Sequence, residues 1–146
     1  MPFPRAHLII RLGGLGYADF ADEIERQEDQ IGIFFDTIVT ATATGSTQAG
    51  MIVGFRAQDR EQRLIGIDTT AHVELTRKAV TKIALATAEL IGLKRDIPNQ
   101  DIVIKSQFSG PAYGIPDEAT IEAIGLAARL GGMITDPVYE GKSIAG

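Results

Sequence analysis

The chain has 146 residues of which 45% are apolar, enough to bury one substantial core and too few for two. Its 14 basic and 19 acidic side chains give a net charge of -5, and no segment sets Lys and Arg beside interleaved aromatics, which argues against a nucleic acid partner. Zero cysteines exclude disulfides and thiolate metal sites, and His7 and His72 stand apart without a carboxylate cluster, so no metal site is expected.

In chain order, the apolar stretch Leu8-Ile9-Ile10 is far too short for a signal-peptide core or a membrane span. Neither targeting nor a membrane is read, and a cytoplasmic protein is expected. Tyr17, Phe20, Ile24 and Ile31 recur at helical spacing against an acidic outer face, and Gly32 is placed to end that helix. Phe34 to Ala43 reads as a buried strand. A short helix over Thr47 to Arg56 follows, whose Gly50 and Gly54 lie four apart and would let a neighbouring backbone come close. Arg63 to Asp68 reads as a brief strand. Val73, Thr76, Val80, Ile83, Thr87 and Leu90 then step by three and four, an amphipathic helix that Gly92 stops. A strand at Asp101 to Lys105 leads into the loop Ser106 to Pro116. A helix from Asp117 to Leu130, with Ile121, Ile124 and Ala128 inward, ends at Gly131 and Gly132, and Met133 to Thr135 reads as a last short strand. Strands alternating with helices predict an α/β domain with a mostly parallel sheet. In such sheets ligands gather at the carboxyl ends of the strands.

Two segments carry candidate chemistry. Thr44-Gly45-Ser46-Thr47-Gln48-Ala49-Gly50 follows a β-branched run and opens a helix, so its backbone N–H groups and hydroxyls suit a phosphate. The plainer reading is a capped helix start that binds nothing. Two better-known phosphate signatures fail. Gly14-Leu15-Gly16 would need glycine where Asp19 stands, and Gly141-Lys142-Ser143 would need glycine where Asp136 stands. Neither NAD nor ATP is favoured. The second segment is Asp136-Pro137-Val138-Tyr139-Glu140-Gly141-Lys142-Ser143. Tyr139 and Glu140 could form no more than a turn, and Tyr113, between Pro111 and Gly114, is equally open: a phenol can stack on a planar ring or pass a proton. The lysines read mostly as surface charges, with only Lys142 beside candidate chemistry, and His72 reads as a solvated loop residue.

Five blocks together carry a resemblance: Gly13-Gly14-Leu15-Gly16-Tyr17, Thr44 through Gly50, Ile65-Gly66-Ile67-Asp68, Gly110-Pro111-Ala112-Tyr113-Gly114-Ile115-Pro116, and Asp136 through Ser143. In this order they resemble 1-aminocyclopropane-1-carboxylate deaminase and, a little less closely, D-cysteine desulfhydrase, both in the tryptophan-synthase-β-like group. The resemblance implies a three-layer sandwich, the large-domain core of a fold-type II pyridoxal-phosphate enzyme, over residues 13–146, with residues 1–12 divergent. It implies pyridoxal 5'-phosphate as cofactor, with Thr44, Gly45, Ser46 and Thr47 holding the phosphate and Glu140 bonding the pyridine nitrogen. Tyr139 would lie against the ring near a small amino-acid substrate, and Tyr113 would reach the substrate or help open its ring. The family's reaction yields 2-oxobutanoate and ammonia.

The departures matter as much. The family's Schiff-base lysine sits in an Asn-Lys motif, and a nearby Ser-Asn-Gln-type segment supplies a serine; neither motif occurs here. Lys142 matches another family position. His7-Leu8-Ile9-Ile10 replaces a small Gly- and Ser-containing stretch expected near the cofactor. The chain therefore resembles less than half of a complete enzyme and is expected to be inactive alone. Three alternatives stay open: a split enzyme whose second chain brings the small domain, a non-catalytic module that binds a phosphorylated metabolite, and a domain that self-associates through an exposed sheet edge.

Overall fold

A computed structural model describes the backbone over residues 4–60 and 63–146, and side chains from Leu12 onward outside residues 61–62. Three parallel strands, β1 (Thr37–Thr42), β2 (Arg63–Asp68) and β3 (Val103–Lys105), lie side by side in that order. Register pairs Thr37 with Arg63, Thr42 with Asp68, and Ile65 with Val103. Strands in parallel cannot be joined by tight turns, so each connection carries a helix. The helices are α1 (Pro4–Ile31), α2 (Ser46–Ala57), α3 (Val73–Ile91), α4 (Glu118–Gly131) and α5 (Glu140–Ala145).

Side chains alternate across β2 and so define the layers. Gly66 faces α2, where a Cβ would strike the Gln48 amide, while Ile67 faces the opposite side against Gly146 at the end of α5. Helices α1, α2 and α3 thus cover one face, and α5 with α4 packed on it covers the other. This is the α/β three-layer arrangement with a parallel sheet. The main core lies under α2 and α3 and includes Ala49, Val53, Phe55, Leu64, Val80 and Ile83.

Glycines set the α1 to α2 seam. A Cβ on Gly50 would sit 2.3 Å from the Gly14 carbonyl oxygen, and one on Gly54 would sit 2.5 Å from the Ala18 carbonyl oxygen and from Ala21 Cβ. The close approach predicted for this pair is present. It also explains where α1 departs from expectation: the helix begins at Pro4, not near Tyr17, and the buried face is Gly14, Ala21 and Glu28, with Tyr17, Phe20 and Ile31 exposed. Bulky side chains would hold the two helices apart, so they point outward. The side chains of His7-Leu8-Ile9-Ile10 lie outside the described residues.

Other differences follow the same logic. In α4 Thr120, Ala123 and Ala127 are buried while Ile121 and Ala128 are exposed and Ile124 packs over Gly141. In α3 the expected face holds except at Leu90, which is exposed where Ala84 and Ala88 are buried. The strand expected from Phe34 starts at Thr37, and Phe34 and Phe35 are exposed. Residues 133–135 form no strand; they lead into α5, a helix the hydrophobic pattern did not reveal. Gly32, Gly92 and Gly132 end their helices at φ of +70°, +68° and +63°, the left-handed conformation that suits glycine. Among the described residues no helix is long and apolar enough to cross a membrane.

Gln48 links the layers. Fully buried beneath Gly66, it donates from Nε2 to the Val103 carbonyl at 2.8 Å, reaching from the first turn of α2 across the central strand to β3.

Candidate active site

A cavity of about 590 Å³ opens at the carboxyl end of β1. Its wall includes Thr42, Thr44, Gly45 and Thr47 on one side and Thr135, Tyr139, Glu140 and Ser143 on the other. The two sequence clusters, some ninety residues apart in the chain, thus face one space.

On the first side, Gly45 is the N-cap of α2, with φ +91° and no side chain to cap the helix. A Cβ there would lie 3.0 Å from the Val80 backbone nitrogen, so position and conformation both call for glycine. The first intrahelical bond is donated by Ala49 to the Gly45 carbonyl at 2.9 Å. That leaves the amides of Ser46, Thr47 and Gln48 as the helix's unsatisfied first-turn donors, at its positive end. Ser46 takes part through its backbone only, because its hydroxyl lies beside Gly13 in α1 and is not on the cavity wall.

On the second side, Asp136 builds the turn. Its Oδ1 accepts the amides of Val138 at 2.6 Å and Tyr139 at 2.8 Å, and its Oδ2 accepts that of Glu140 at 3.3 Å. Glu140 reciprocates by accepting the Asp136 amide at 3.2 Å. This reciprocal bonding closes the turn that leads into α5, and Tyr139 and Glu140 both line the cavity. Tyr113 is not on the cavity wall, but its hydroxyl hydrogen-bonds the Tyr139 hydroxyl, with the rings edge to face at 6.0 Å. The bond with Tyr113, then burial and the charges of Tyr113 and Asp136, hold the Tyr139 phenol above its ordinary range.

Two buried groups, one given no role by sequence reasoning and one given no burial, support the site from below. Asp68, at the end of β2, is fully buried and accepts from the hydroxyls of Thr70 and Thr76, both at 2.8 Å, from Ser109 at 3.2 Å and from the His72 amide at 3.1 Å. Burial pushes its pKa up, but the bonds from Thr70, Thr76 and Ser109 outweigh that and hold it below the ordinary carboxylate value. Lys142, the one lysine read as lying beside candidate chemistry, is fully buried. An acid closing a buried strand was the available signal for Asp68; for Lys142 the signal was its place beside Tyr139 and Glu140, which gave no sign of its burial. His72 is exposed at the start of α3, and among the described residues no three His, Cys, Asp or Glu side chains gather to hold a metal.

The donor set suits a phosphorylated ligand carrying further polar groups. It offers uncapped amides around a left-handed glycine, and two buried hydroxyls on the cavity wall, Thr42 Oγ1 and Thr135 Oγ1, lack a hydrogen-bond partner. A parallel α/β sheet with a cavity at the carboxyl end of β1 is the arrangement in which such folds hold ligands. The profile of the pyridoxal-phosphate dependent enzymes matches residues 11–146, and the chain belongs to that family, whose cofactor is pyridoxal phosphate. It is 56% identical over 135 residues to a 1-aminocyclopropane-1-carboxylate deaminase of Burkholderia cenocepacia and 55% identical over 134 residues to one of Variovorax paradoxus. Each match covers 92% of this chain and 40% of the relative. The crystal structure of a homologue of that deaminase superposes with a TM-score of 0.83 at 29% identity, covering 93% of this chain and 40% of the other. The chain thus spans about two fifths of the length of the relatives it matches.

Proposed function

We propose that this chain forms the phosphate-binding and substrate-facing part of a pyridoxal-phosphate-dependent 1-aminocyclopropane-1-carboxylate deaminase, a cytoplasmic enzyme acting on a small amino acid. The observation that carries the reading is the meeting of the uncapped α2 terminus and the Tyr139–Glu140 turn across one cavity. All eight relatives compared in detail bear that deaminase name, which favours it over D-cysteine desulfhydrase.

In this reading the amides of Gly45, Ser46 and Thr47, with the Thr44 and Thr47 hydroxyls, hold the phosphate, charge-assisted by the helix terminus. Glu140 would accept a hydrogen bond from the cofactor's pyridine nitrogen and so tune how strongly the ring withdraws electrons. The cofactor, when bound, supplies the electron sink for the reacting carbon. Tyr139 bounds the substrate pocket and Tyr113 hydrogen-bonds its hydroxyl, so one phenol of the pair is held as donor and the other as acceptor toward the substrate. The covalent lysine of the family's Asn-Lys motif is absent from this chain, so positioning is incomplete and the isolated chain is expected to bind cofactor weakly and turn nothing over. A segment bearing the small domain would complete the pocket, and a homo-oligomer of this stretch would not, since every copy lacks that motif.

The test is equilibrium binding by fluorescence of pyridoxal phosphate and, separately, of pyridoxal. The phosphorylated form should bind, inorganic phosphate should compete, and Gly45→Ala should abolish binding while the fold persists by circular dichroism. Equal binding of pyridoxal and its phosphate ester would refute the cradle. Ammonia release from 1-aminocyclopropane-1-carboxylate by the isolated chain would refute its predicted inactivity.

A further inference from the structure

Helix α5 has only six residues, too few to stand by its own hydrogen bonds. What anchors it is Lys142. Its ammonium donates to the Ser109 carbonyl, to the Ala112 carbonyl at 3.1 Å and to the Thr69 carbonyl at 3.4 Å, which uses all three of its protons. Thr69 follows β2; Ser109 and Ala112 belong to the loop that carries Tyr113. Lys142 itself lies three residues past Tyr139. One buried cation therefore ties together three segments that meet beside the Tyr113 to Tyr139 contact.

Among the described residues no carboxylate touches the ammonium; burial keeps its pKa below the ordinary lysine value, and the charges of Asp117 and Asp68 pull the other way. Burying a cation against neutral carbonyls is costly, and an apolar side chain in its place would in turn leave three carbonyls without their donor. The arrangement makes sense where three carbonyls must be held in one place. Gly110 adds a second constraint: a Cβ there would meet the Ile115 carbonyl at 2.6 Å and the Lys142 Nζ at 3.4 Å, so the loop closes tightly around the lysine.

We infer that Lys142 is a positioning residue: by bonding Ser109 and Ala112 from α5 it sets the separation of the Tyr113 and Tyr139 hydroxyls, and so the phenol pair offered to the substrate. The inference deepens the proposed deaminase reading and rests on it for the word substrate, but the geometry it predicts is measurable without cofactor.

The experiment follows the three tyrosines, Tyr17, Tyr113 and Tyr139, by NMR of their 13C-labelled ring ζ-carbons through an alkaline titration. In the wild type the Tyr139 midpoint should lie above its ordinary 10.0. In Tyr113→Phe it should fall toward that value, and in Lys142→Met, which keeps length and loses the donors, it should fall likewise while Tyr17 is unmoved. A Lys142→Met protein that folds and keeps the wild-type Tyr139 midpoint overturns the inference. If Lys142→Met does not fold, the wild type decides: on acetylation at neutral pH, Lys78, Lys82, Lys94 and Lys105 should react and Lys142 should not. Reaction of Lys142 at the rate of the other four overturns the inference. Failure of the deaminase reading is separate, because it shows as absent pyridoxal phosphate binding in the wild type with the tyrosine shifts intact.

Discussion

Substituting alanine at Gly54 tests the seam that fixes α2, and with it the cradle. The new Cβ would lie 2.5 Å from both the Ala18 carbonyl oxygen and Ala21 Cβ, where carbon contacts prefer about 3.5–4.0 Å. Part of what it meets is backbone of α1, which cannot rotate aside, so the helices must separate by roughly 1 Å along much of their length. Overpacking of this kind costs about 1–3 kcal/mol. Alanine's better helix propensity returns only about 0.8–1.0 kcal/mol. Because the obstruction is main chain, the overpacking cost sits at or beyond the top of its range, and the net loss is about 2 kcal/mol, or about 4–8 °C in Tm for a domain of this size. Gly50→Ala, with 2.3 Å to the Gly14 carbonyl, should do at least as much. Gly16→Ala is the control: no atom lies within 4 Å of its Cβ, so helix propensity alone should act and stabilise by up to about 1 kcal/mol. Urea unfolding followed by circular dichroism measures all three. A Gly54→Ala protein as stable as the wild type would refute the close-contact reasoning.

Asp68→Ala should lose about 2–4 kcal/mol, because it strands buried donors on Thr76 and Ser109. Since the folded carboxyl titrates below its ordinary 3.8, its contribution is complete above that value and is lost as pH falls through the folded value; urea midpoints between pH 5 and pH 2 should therefore converge for wild type and variant. Asp117→Ala removes the N-cap of α4, where the carboxylate accepts from the Thr120 amide at 2.8 Å, and should cost about 1 kcal/mol in the same assay at neutral pH. Asp136→Ala should leave global stability nearly unchanged yet speed hydrogen exchange at the Val138, Tyr139 and Glu140 amides; unchanged protection there would show that the turn forms without the carboxylate.

Much of this fold was legible because its punctuation is chemical. Arg63 to Asp68 and the helix after His72 stand where the pattern put them, bounded by an acid and by a left-handed glycine. What misled was residue size. Reading bulky side chains as the inward face fails where helices touch through glycine and alanine, as in α1 and α4, since close backbones leave room only for small groups. Glycines 13, 14 and 16 lie inside α1 despite glycine's poor helix propensity; a Cβ on Gly14 would meet Thr87 Oγ1 at 2.1 Å, so tertiary contact overrides propensity there. The two halves of the site were legible as motifs, and their meeting followed from strand order. Lys142 was not, because its three partners are backbone carbonyls supplied by segments 30 to 73 residues away.

The side-chain amide of Gln48 makes the glycine turn before α2 and the far margin of the sheet a single mechanical part. Any ligand that pulls on the first turn of α2 loads Val103 through that one tie, so capture at one end should stiffen a strand that the ligand never touches.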